Sequence, residues 1–173
     1  MNSNTEWFPL VDESGKVIGK ETRKICHNGS KRLHPVVHLH IFNRKGELYL
    51  QKRSMNKDIQ PGKWDTAVGG HIDAGESVND ALIREAREEL GITDFKATPI
   101  TKYIFESSIE KELVYSFYTL YEGTIQIDQD EVVDGRFWPL QDIEAHLNYE
   151  VFTPNFEQEF KKLNLSQYKG KQG

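Results

Sequence analysis

The sequence predicts an α/β fold of the α+β kind, in which a mixed β-sheet is sandwiched between α-helices. Strand-like segments separated by turn residues precede and follow one amphipathic helical stretch, and two more helical stretches come near the C-terminal end. The 173 residues include 37% hydrophobic residues, which is enough for one sizeable core. Neither a repeat nor a linker interrupts the sequence, so residues 1–165 are predicted to form one domain, followed by a polar tail at 166–173.

The predicted strands begin with two hairpins, whose turns lie at residues 13–16 and at Lys45 with Gly46. The predicted strands are 7–11, 17–22, 34–43, 47–52, 95–106, 113–122 and 135–138. The predicted helices are 77–90, 140–147 and 154–163. The first helix opens with a capping-box-like pair, Ser77 and Asp80, and ends at Gly91, where glycine permits a left-handed cap.

The helix at 77–90 carries a cluster of carboxylates. Glu85, Glu88 and Glu89 are spaced i, i+3 and i+4, which places them on one side of a helix. Their mutual repulsion costs stability unless a cation lies between them, and hard oxygen ligands favour Mg²⁺ or Mn²⁺. A separate apolar stripe is predicted at Leu82, Ile83, Ala86 and Leu90. A solvated acidic face is the alternative, because Arg84 and Arg87 partly relieve the repulsion.

The spacing of residues around this helix resembles the Nudix box. Gly70, five residues, Glu76, seven residues and the run REAREELGI, which includes Gly91, match every specified position of that motif. By this resemblance the three glutamates are metal ligands, and the carbonyl oxygen of Gly69 is a further ligand. Arg84 and Glu76 would form the ion pair that orients the glutamates. The resemblance also implies the Nudix fold and hydrolysis of a diphosphate bond that depends on Mg²⁺ or Mn²⁺.

The region from about residue 21 to residue 92 also resembles isopentenyl-diphosphate isomerase, a divergent relative of the Nudix hydrolases. An H-x6-H spacing, a glycine-histidine pair and, beyond that region, an E-x-E at the start of a strand carry this resemblance. It implies a second metal site with nitrogen and oxygen ligands. The candidate ligands are His27, His34, His71, Glu110 and Glu112. A lone histidine is more often a surface or hydrogen-bonded core residue than a ligand, so the whole set supports this site.

Three cationic residues lie at the positions where that isomerase has cationic residues that contact its diphosphate. They are Arg23, Arg53 and Lys57. Arginine can bind phosphate through two hydrogen bonds at once, although each of the three, taken singly, is typical of an ordinary surface charge. Arg53 is the strongest candidate, because it ends a strand just before the glycine-rich region.

One position departs from the isomerase pattern. The isomerase has a cysteine directly before its glycine-histidine pair for proton transfer at carbon, and this chain has Gly69 there. Isomerases of this type also have an incomplete Nudix box, so both differences favour hydrolysis. An isomerase that uses other acids, such as Glu112 or Tyr103, stays as the alternative. A non-catalytic sensor of a nucleotide-like effector is the third hypothesis.

In the hydrolytic interpretation, metal on the helix glutamates would stabilise developing charge and lower the pKa of a bound water. A carboxylate must then accept a proton. Glu131, seven residues before Trp138, and Glu89 are the candidates for this base. Glu88 is expected to be essential, and Glu88→Gln to abolish nearly all turnover while the fold is kept.

The composition restricts the partners. A net charge of −5, with no basic run longer than two residues, argues against binding to a nucleic-acid polymer. No apolar run approaches the roughly 20 residues of a membrane span. The absence of a secretory signal, and the lone Cys26, lead us to expect a cytoplasmic location. The expected partner is a small diphosphate, of which a nucleoside diphosphate linked to another group is the family's usual type, and the resemblance allows a homodimer.

Overall fold

The computed structural model describes residues 5–57, 60–130 and 132–169. Within these residues the strands are β1 Trp7–Val11, β2 Val17–Thr22, β3 Leu33–Phe42, β4 Leu48–Arg53, β5 Trp64–Thr66, β6 Val68–His71, β7 Thr98–Glu106, β8 Lys111–Leu120 and β9 Val132–Trp138. The helices are α1 Arg23–Cys26, α2 Val78–Leu90, α3 Leu140–His146 and α4 Pro154–Leu163. The predicted α+β class with a mixed sheet is confirmed. None of the described helices is long and apolar enough to cross a membrane.

The strands form a two-stranded ladder and a larger sheet. Strands β1 and β2 pair antiparallel. The larger sheet has the order β5-β4-β3-β8-β7, with β6 also paired to β3 and β9 also paired to β4. Strand β4 is antiparallel to both β5 and β9, and Gln51 lies opposite Asp65 on one side and Gly135 on the other. A residue at this position is therefore enclosed by main chain on both sides.

The described residues belong to two compact units. The first contains the chain up to His38, Gly69–Glu85 and Pro99–Phe117. Strands β1 and β2 and helix α1 lie in this unit. Phe8 of β1 is fully buried here, with 0% of its surface exposed.

The second unit contains Leu39–Val68, Ala86–Thr98 and the chain from Tyr118 onward. Its core includes the aromatic side chains of Phe152 and Phe156, whose ring centroids are 5.4 Å apart. Helix α4 begins with a side-chain cap, because the hydroxyl of Thr153 accepts a hydrogen bond from the backbone N–H of Phe156.

Helix α2 has the caps that the sequence predicts. The hydroxyl of Ser77 accepts a hydrogen bond from the backbone N–H of Asp80 at 3.1 Å. Gly91 follows the helix with a φ of 66°, in the left-handed region that favours glycine. The predicted helix at 77–90 thus differs from the observed Val78–Leu90 by one residue.

The burial of α2 differs from the prediction of two separate faces. Ile83, predicted in the apolar stripe, has 46% of its surface exposed, whereas Ala81 is fully buried. Glu85 and Glu89 are half-buried and only Glu88 is exposed. The reason is helix geometry, because Leu82 and Glu89 are seven residues apart and lie on the same side after two turns. The carboxylates therefore border the buried side of the helix.

Three short elements were not expected from the sequence, namely α1, β5 and β6. Strand β5 has three residues and β6 contains two glycines, so neither shows the alternation typical of a strand. Strand β5 forms because it pairs with β4, as in the contact of Thr66 with Leu50. At the start of the predicted tail, Leu165–Tyr168 form a 3-10 turn in which Leu165 is buried.

Candidate functional site

Three histidines and one glutamate converge in the first unit. His27 follows helix α1, His34 lies in β3, His71 ends β6, and Glu110 precedes β8. One potential ligand atom from each of these residues lies within 4.8 Å of the others. The Nε2 atom of His27 is 2.9 Å from a carboxylate oxygen of Glu110 and 3.2 Å from Nε2 of His71. This geometry is that of a candidate metal centre.

Glu112 is the fifth residue that the isomerase resemblance implies, and the structure places it beside the other four. One of its carboxylate oxygens is 3.7 Å from Nε2 of His71 and 4.0 Å from Nε2 of His34. Burial, and then the nearby Glu110 carboxylate, raises the pKa of Glu112 to about 7. A buried carboxylate of this kind needs a cation to remain charged at neutral pH.

The protonation of His34 is fixed by a backbone contact. Its Nδ1 atom is 2.8 Å from the carbonyl oxygen of Arg32, which can only accept, so Nδ1 carries the proton and donates. Its Nε2 atom is buried and has no hydrogen-bond partner among the described residues. This leaves a lone pair on Nε2, 4.0 Å from the carboxylate of Glu112. A buried orphan acceptor of this kind fits a metal ligand.

Phe8 covers the imidazole rings. Its ring stacks on that of His71 at a centroid distance of 4.4 Å and on that of His34 at 5.5 Å. Burial lowers the pKa of His34, and burial followed by the positive charge of Arg23 lowers the pKa of His71 well below its usual range. Neutral imidazoles are the form that binds a metal. This role of Phe8 could not be predicted from the sequence, because a buried aromatic residue in a strand is usually only a core residue.

Arg84 is the centre of a second group of contacts in the same unit. It donates to both carboxylate oxygens of Glu76, at 2.8 and 2.9 Å, to Glu85 at 2.8 Å, and to the carbonyl oxygen of His71 at 3.0 Å. The hydrogen bonds from Arg84 hold the pKa of Glu76 below its usual value. The structure thus contains the ion pair implied by the Nudix box, and Asp73, at 3.5 Å from Arg84, is an addition that the sequence did not suggest.

Gly70 allows the close approach of Glu85. A Cβ atom on this glycine would lie 2.2 Å from the carboxylate carbon of Glu85, which is far inside van der Waals contact. Gly69 differs, because a Cβ there would be 3.5 Å from the ring of His38, an ordinary contact. A Cβ atom is therefore compatible with position 69, and no clash at Cβ explains the glycine there.

In the second unit, Glu89 is held by a residue that was not among the predicted site residues. The side-chain amide of Gln51 donates to a carboxylate oxygen of Glu89 at 3.0 Å. Gln51 is buried and directly follows the apolar residues Leu48, Tyr49 and Leu50 of β4, and a polar residue at the end of that apolar run is the signal that could have identified it. Glu88 is exposed on α2, and Glu131 lies outside the described residues.

The three predicted phosphate-binding cations have different surroundings. Arg23 forms an exposed ion pair with Glu6 at 3.4 Å, and its guanidinium lies 6.0 Å from the ring centroid of Phe8. Arg53 ends β4 and is 3.7 Å from a carboxylate oxygen of Asp65. Lys57 is half-buried in the turn that follows β4. Arg23 is thus the cation that the structure places beside the histidines.

The sequence pattern of the NUDIX domain matches residues 32–160. The chain belongs to the Nudix family. An isopentenyl-diphosphate Delta-isomerase from Salmonella arizonae is 31% identical over 144 residues, which cover 80% of this chain and 79% of the relative. A protein from Listeria monocytogenes that is named an uncharacterized Nudix hydrolase is 34% identical over 155 residues, covering 87% of this chain and 89% of that protein.

Solved structures support the same assignment at the level of the fold. The protein DR0079 from Deinococcus radiodurans has a TM-score of 0.78 at 23% identity and covers 91% of this chain and 99% of its own. The MutT protein from Methanosarcina mazei has a TM-score of 0.67 at 26% identity, with coverages of 81% and 99%. The predicted Nudix fold is confirmed, and the chain is similar both to a relative named as a Nudix hydrolase and to one named as an isopentenyl-diphosphate Delta-isomerase.

Proposed function

We propose that this Nudix protein is a Mg²⁺-dependent hydrolase that cleaves the diphosphate bond of a nucleoside diphosphate-linked or related small substrate. The observation that carries the proposal is the arrangement around α2. Arg84, held by Glu76, donates to Glu85, and the space that a side chain at Gly70 would need is taken by the carboxylate of Glu85. Hydrogen bonds that fix the orientation of a carboxylate are typical of carboxylates that serve as metal ligands.

The helix carboxylates Glu85, Glu88 and Glu89, with the carbonyl oxygen of Gly69, would hold the cation. When bound, Mg²⁺ supplies electrostatic stabilisation of the phosphate oxygens and a more acidic water. Glu89 or Glu131 would accept the proton of the attacking water. Arg53 and Lys57 would bind phosphate oxygens, and the net charge of −5 supports a small substrate rather than a nucleic-acid polymer.

The test is a product screen by mass spectrometry with Mg²⁺. The substrates would be nucleoside triphosphates, dinucleotides, nucleotide sugars and isopentenyl diphosphate. We expect Mg²⁺-dependent cleavage of at least one nucleotide substrate and loss of nearly all of it in Glu88→Gln, with the thermal unfolding of that variant unchanged. Equal turnover in Glu88→Gln and the wild type would rule out the proposed role of the helix. Tight nucleotide binding without any product would favour the sensor.

Isomerisation of isopentenyl diphosphate is the second candidate, and the histidine cluster is the observation that favours it. We infer that His27, His34, His71, Glu110 and Glu112 hold a divalent transition metal, since a set of nitrogen and oxygen donors suits such ions. The orphan Nε2 of His34 supports this inference. Elemental analysis of the purified protein by mass spectrometry, with His71→Ala as the comparison, tests it. A metal content that is the same in both proteins would contradict it.

Deuterium incorporation by the wild type separates the two candidates, and a variant with the missing cysteine tests the role of the thiol. Because a Cβ atom at position 69 would meet only an ordinary contact, we expect Gly69→Cys to fold and to supply the thiol that the isomerase has there. If the wild type is a hydrolase, it will incorporate no deuterium from D₂O into isopentenyl diphosphate. Deuterium incorporation by the wild type, without cleavage of any diphosphate, would instead establish the isomerase. Gly69→Cys shows whether the thiol alone is the missing group.

A further inference from the structure

Gln51 is a buried polar side chain in the middle of strand β4. Only 9% of its surface is exposed, and β5 and β9 flank it on both sides. Its amide nitrogen, Nε2, lies within hydrogen-bonding distance of three oxygen atoms. These are the carbonyl oxygens of Thr66 at 3.2 Å and Ala67 at 3.1 Å, and the Glu89 carboxylate at 3.0 Å. All four residues belong to the second unit.

The orientation of this amide is determined by its surroundings. An amide nitrogen carries two hydrogen atoms, so three acceptors must share them. All three neighbours are acceptors, and the flipped amide would place its own oxygen against two carbonyl oxygens and a carboxylate. Two of the acceptors are main-chain atoms of the β5–β6 segment. Gln51 is therefore tied to the backbone and presents a fixed donor to Glu89.

Glu89 is held at its main chain as well. Its carbonyl oxygen accepts a hydrogen bond from the backbone N–H of Asp128 at 3.1 Å, and the carbonyl oxygen of the next residue, Leu90, accepts one from Gln126 at 2.9 Å. These contacts fix the last turn of α2 but leave the side-chain torsions of Glu89 to be set by other groups. The contact from Gln51 restricts those torsions, and a neutral amide does so without adding a positive charge beside the carboxylate.

We propose that Gln51 is a positioning residue that holds the Glu89 carboxylate in the orientation that the α2 site requires. The inference rests on the proposed function, because in the proposed hydrolase Glu89 is a metal ligand or the proton acceptor. Gln51 would then be the second residue that orients a glutamate of α2. Arg84, a charged group, orients Glu85, and Gln51, an uncharged group fixed to the sheet, orients Glu89.

The experiment compares Gln51→Met, Glu89→Gln and the double variant. Methionine has nearly the length of glutamine and no hydrogen-bonding amide. Gln141→Met, at an exposed position of α3, is the matched control. The readouts are kcat and KM for the substrate found in the product screen, Mn²⁺ affinity from electron paramagnetic resonance of the free ion, and the unfolding temperature.

We expect Gln51→Met to lower Mn²⁺ affinity or kcat by about 10- to 100-fold, the usual effect of removing an orienting partner of a metal ligand. KM should change much less, and Gln141→Met should resemble the wild type. If Gln51 acts through Glu89, the double variant will be no more impaired than Glu89→Gln alone. The histidine cluster contributes equally to the wild type and to all four variants, so its Mn²⁺ cancels in this comparison.

Several results would overturn the inference. One is wild-type kcat and Mn²⁺ affinity in Gln51→Met, and another is an impairment in the double variant that equals the sum of the single effects. A fall in unfolding temperature with kcat and Mn²⁺ affinity intact would reduce Gln51 to a structural residue. The proposed function fails separately. If the wild type binds Mn²⁺ without hydrolysing any diphosphate, while Gln51→Met weakens that binding only when Glu89 is present, the positioning role stands and the hydrolase does not.

Discussion

The position of the Glu85 carboxylate in this Nudix protein depends on the absence of a side chain at residue 70. The carboxylate carbon of Glu85 occupies the place where a Cβ atom of residue 70 would lie, 2.2 Å away. Arg84 approaches the same carboxylate and donates to it at 2.8 Å. Glycine at position 70 and arginine at position 84 therefore act together, and a change at either one moves Glu85.

Gly70→Ala tests this dependence. The added methyl group must displace Glu85, and a shift of about 1 Å at a catalytic group can lower turnover about 100-fold. Gly19→Ala is the matched control, since the nearest atom to a Cβ there is 4.0 Å away. The measurement is kcat for both variants under saturating Mg²⁺. Wild-type kcat in Gly70→Ala would show that the position of Glu85 does not matter.

Glu76 predicts a pH dependence of stability. Its hydrogen bonds from Arg84 lower its pKa from the ordinary value of 4.5 in the folded protein. The pair's contribution is therefore fully present above about pH 4.5 and is lost as the pH falls through the lower, folded pKa. At pH 6, Glu76→Gln should reduce the free energy of unfolding by about 1.5–3 kcal/mol, the usual range for a hydrogen bond to a charged group. Urea unfolding at pH 6 and at pH 3 measures the difference in the free energy of unfolding between the wild type and Glu76→Gln, which should be smaller at pH 3. An equal difference at both pH values would contradict an origin in the pair of Glu76 and Arg84.

At the scale of the elements, helix α2 shows which structural features could be predicted from the sequence and which could not. Its ends, its caps and the order of its glutamates follow from local chemistry, and the prediction of residues 77–90 differs from the structure by one position. The prediction of which sides of the helix are buried was wrong, because burial depends on the segments that pack against the helix. Ile83 is exposed, while Glu89 is half-buried next to Gln51, which is 38 residues away in the sequence.

The histidine cluster shows a similar limit. Its five residues lie just after α1, in β3, at the end of β6 and on either side of the first residue of β8, and no spacing in the sequence shows that they meet. The family resemblance predicted the set, and the structure supplies what the resemblance lacked. The stacked Phe8 and the orphan Nε2 of His34 are such features. Both result from packing between segments that are distant in the sequence, so they could not be predicted from it.

A buried contact between a histidine and a carboxylate joins two elements of the second unit. His40 of β3 bonds to Glu159 of α4, 119 residues further along the chain, and each residue is 1% exposed. Removing one partner of a buried hydrogen bond typically costs about 1–3 kcal/mol, because the other polar group then remains buried without a partner. We expect a loss of this size for Glu159→Leu, measured by urea unfolding. The double variant His40→Leu with Glu159→Leu should recover part of it, and no recovery would indicate that the two residues do not act as a pair.

At the scale of the whole molecule, carboxylates outnumber cationic side chains, 27 Asp and Glu against 22 Lys and Arg. Acidic groups gathered on α2 and around the histidines repel one another until a cation binds, so the folded chain should be stabilised by metal. Because only the folded chain assembles these sites, a ligand at about 100 times its Kd adds about 2.7 kcal/mol to the free energy of unfolding. This coupling makes thermal unfolding a readout of metal binding that does not require the substrate.

The last prediction separates the two candidate metal sites by their effect on unfolding. Addition of Mn²⁺ should raise the unfolding temperature of the wild type, and by less in Glu88→Gln and in His71→Ala, since each variant removes a ligand from one site. The variant that carries both changes should show little response. Differential scanning calorimetry at several Mn²⁺ concentrations measures these shifts, with EDTA as the reference state. If the double variant responds as the wild type does, Mn²⁺ stabilises the fold elsewhere. If only His71→Ala lowers the response, the cation on α2 binds too weakly without substrate, and Mg²⁺ would then enter the site with the diphosphate.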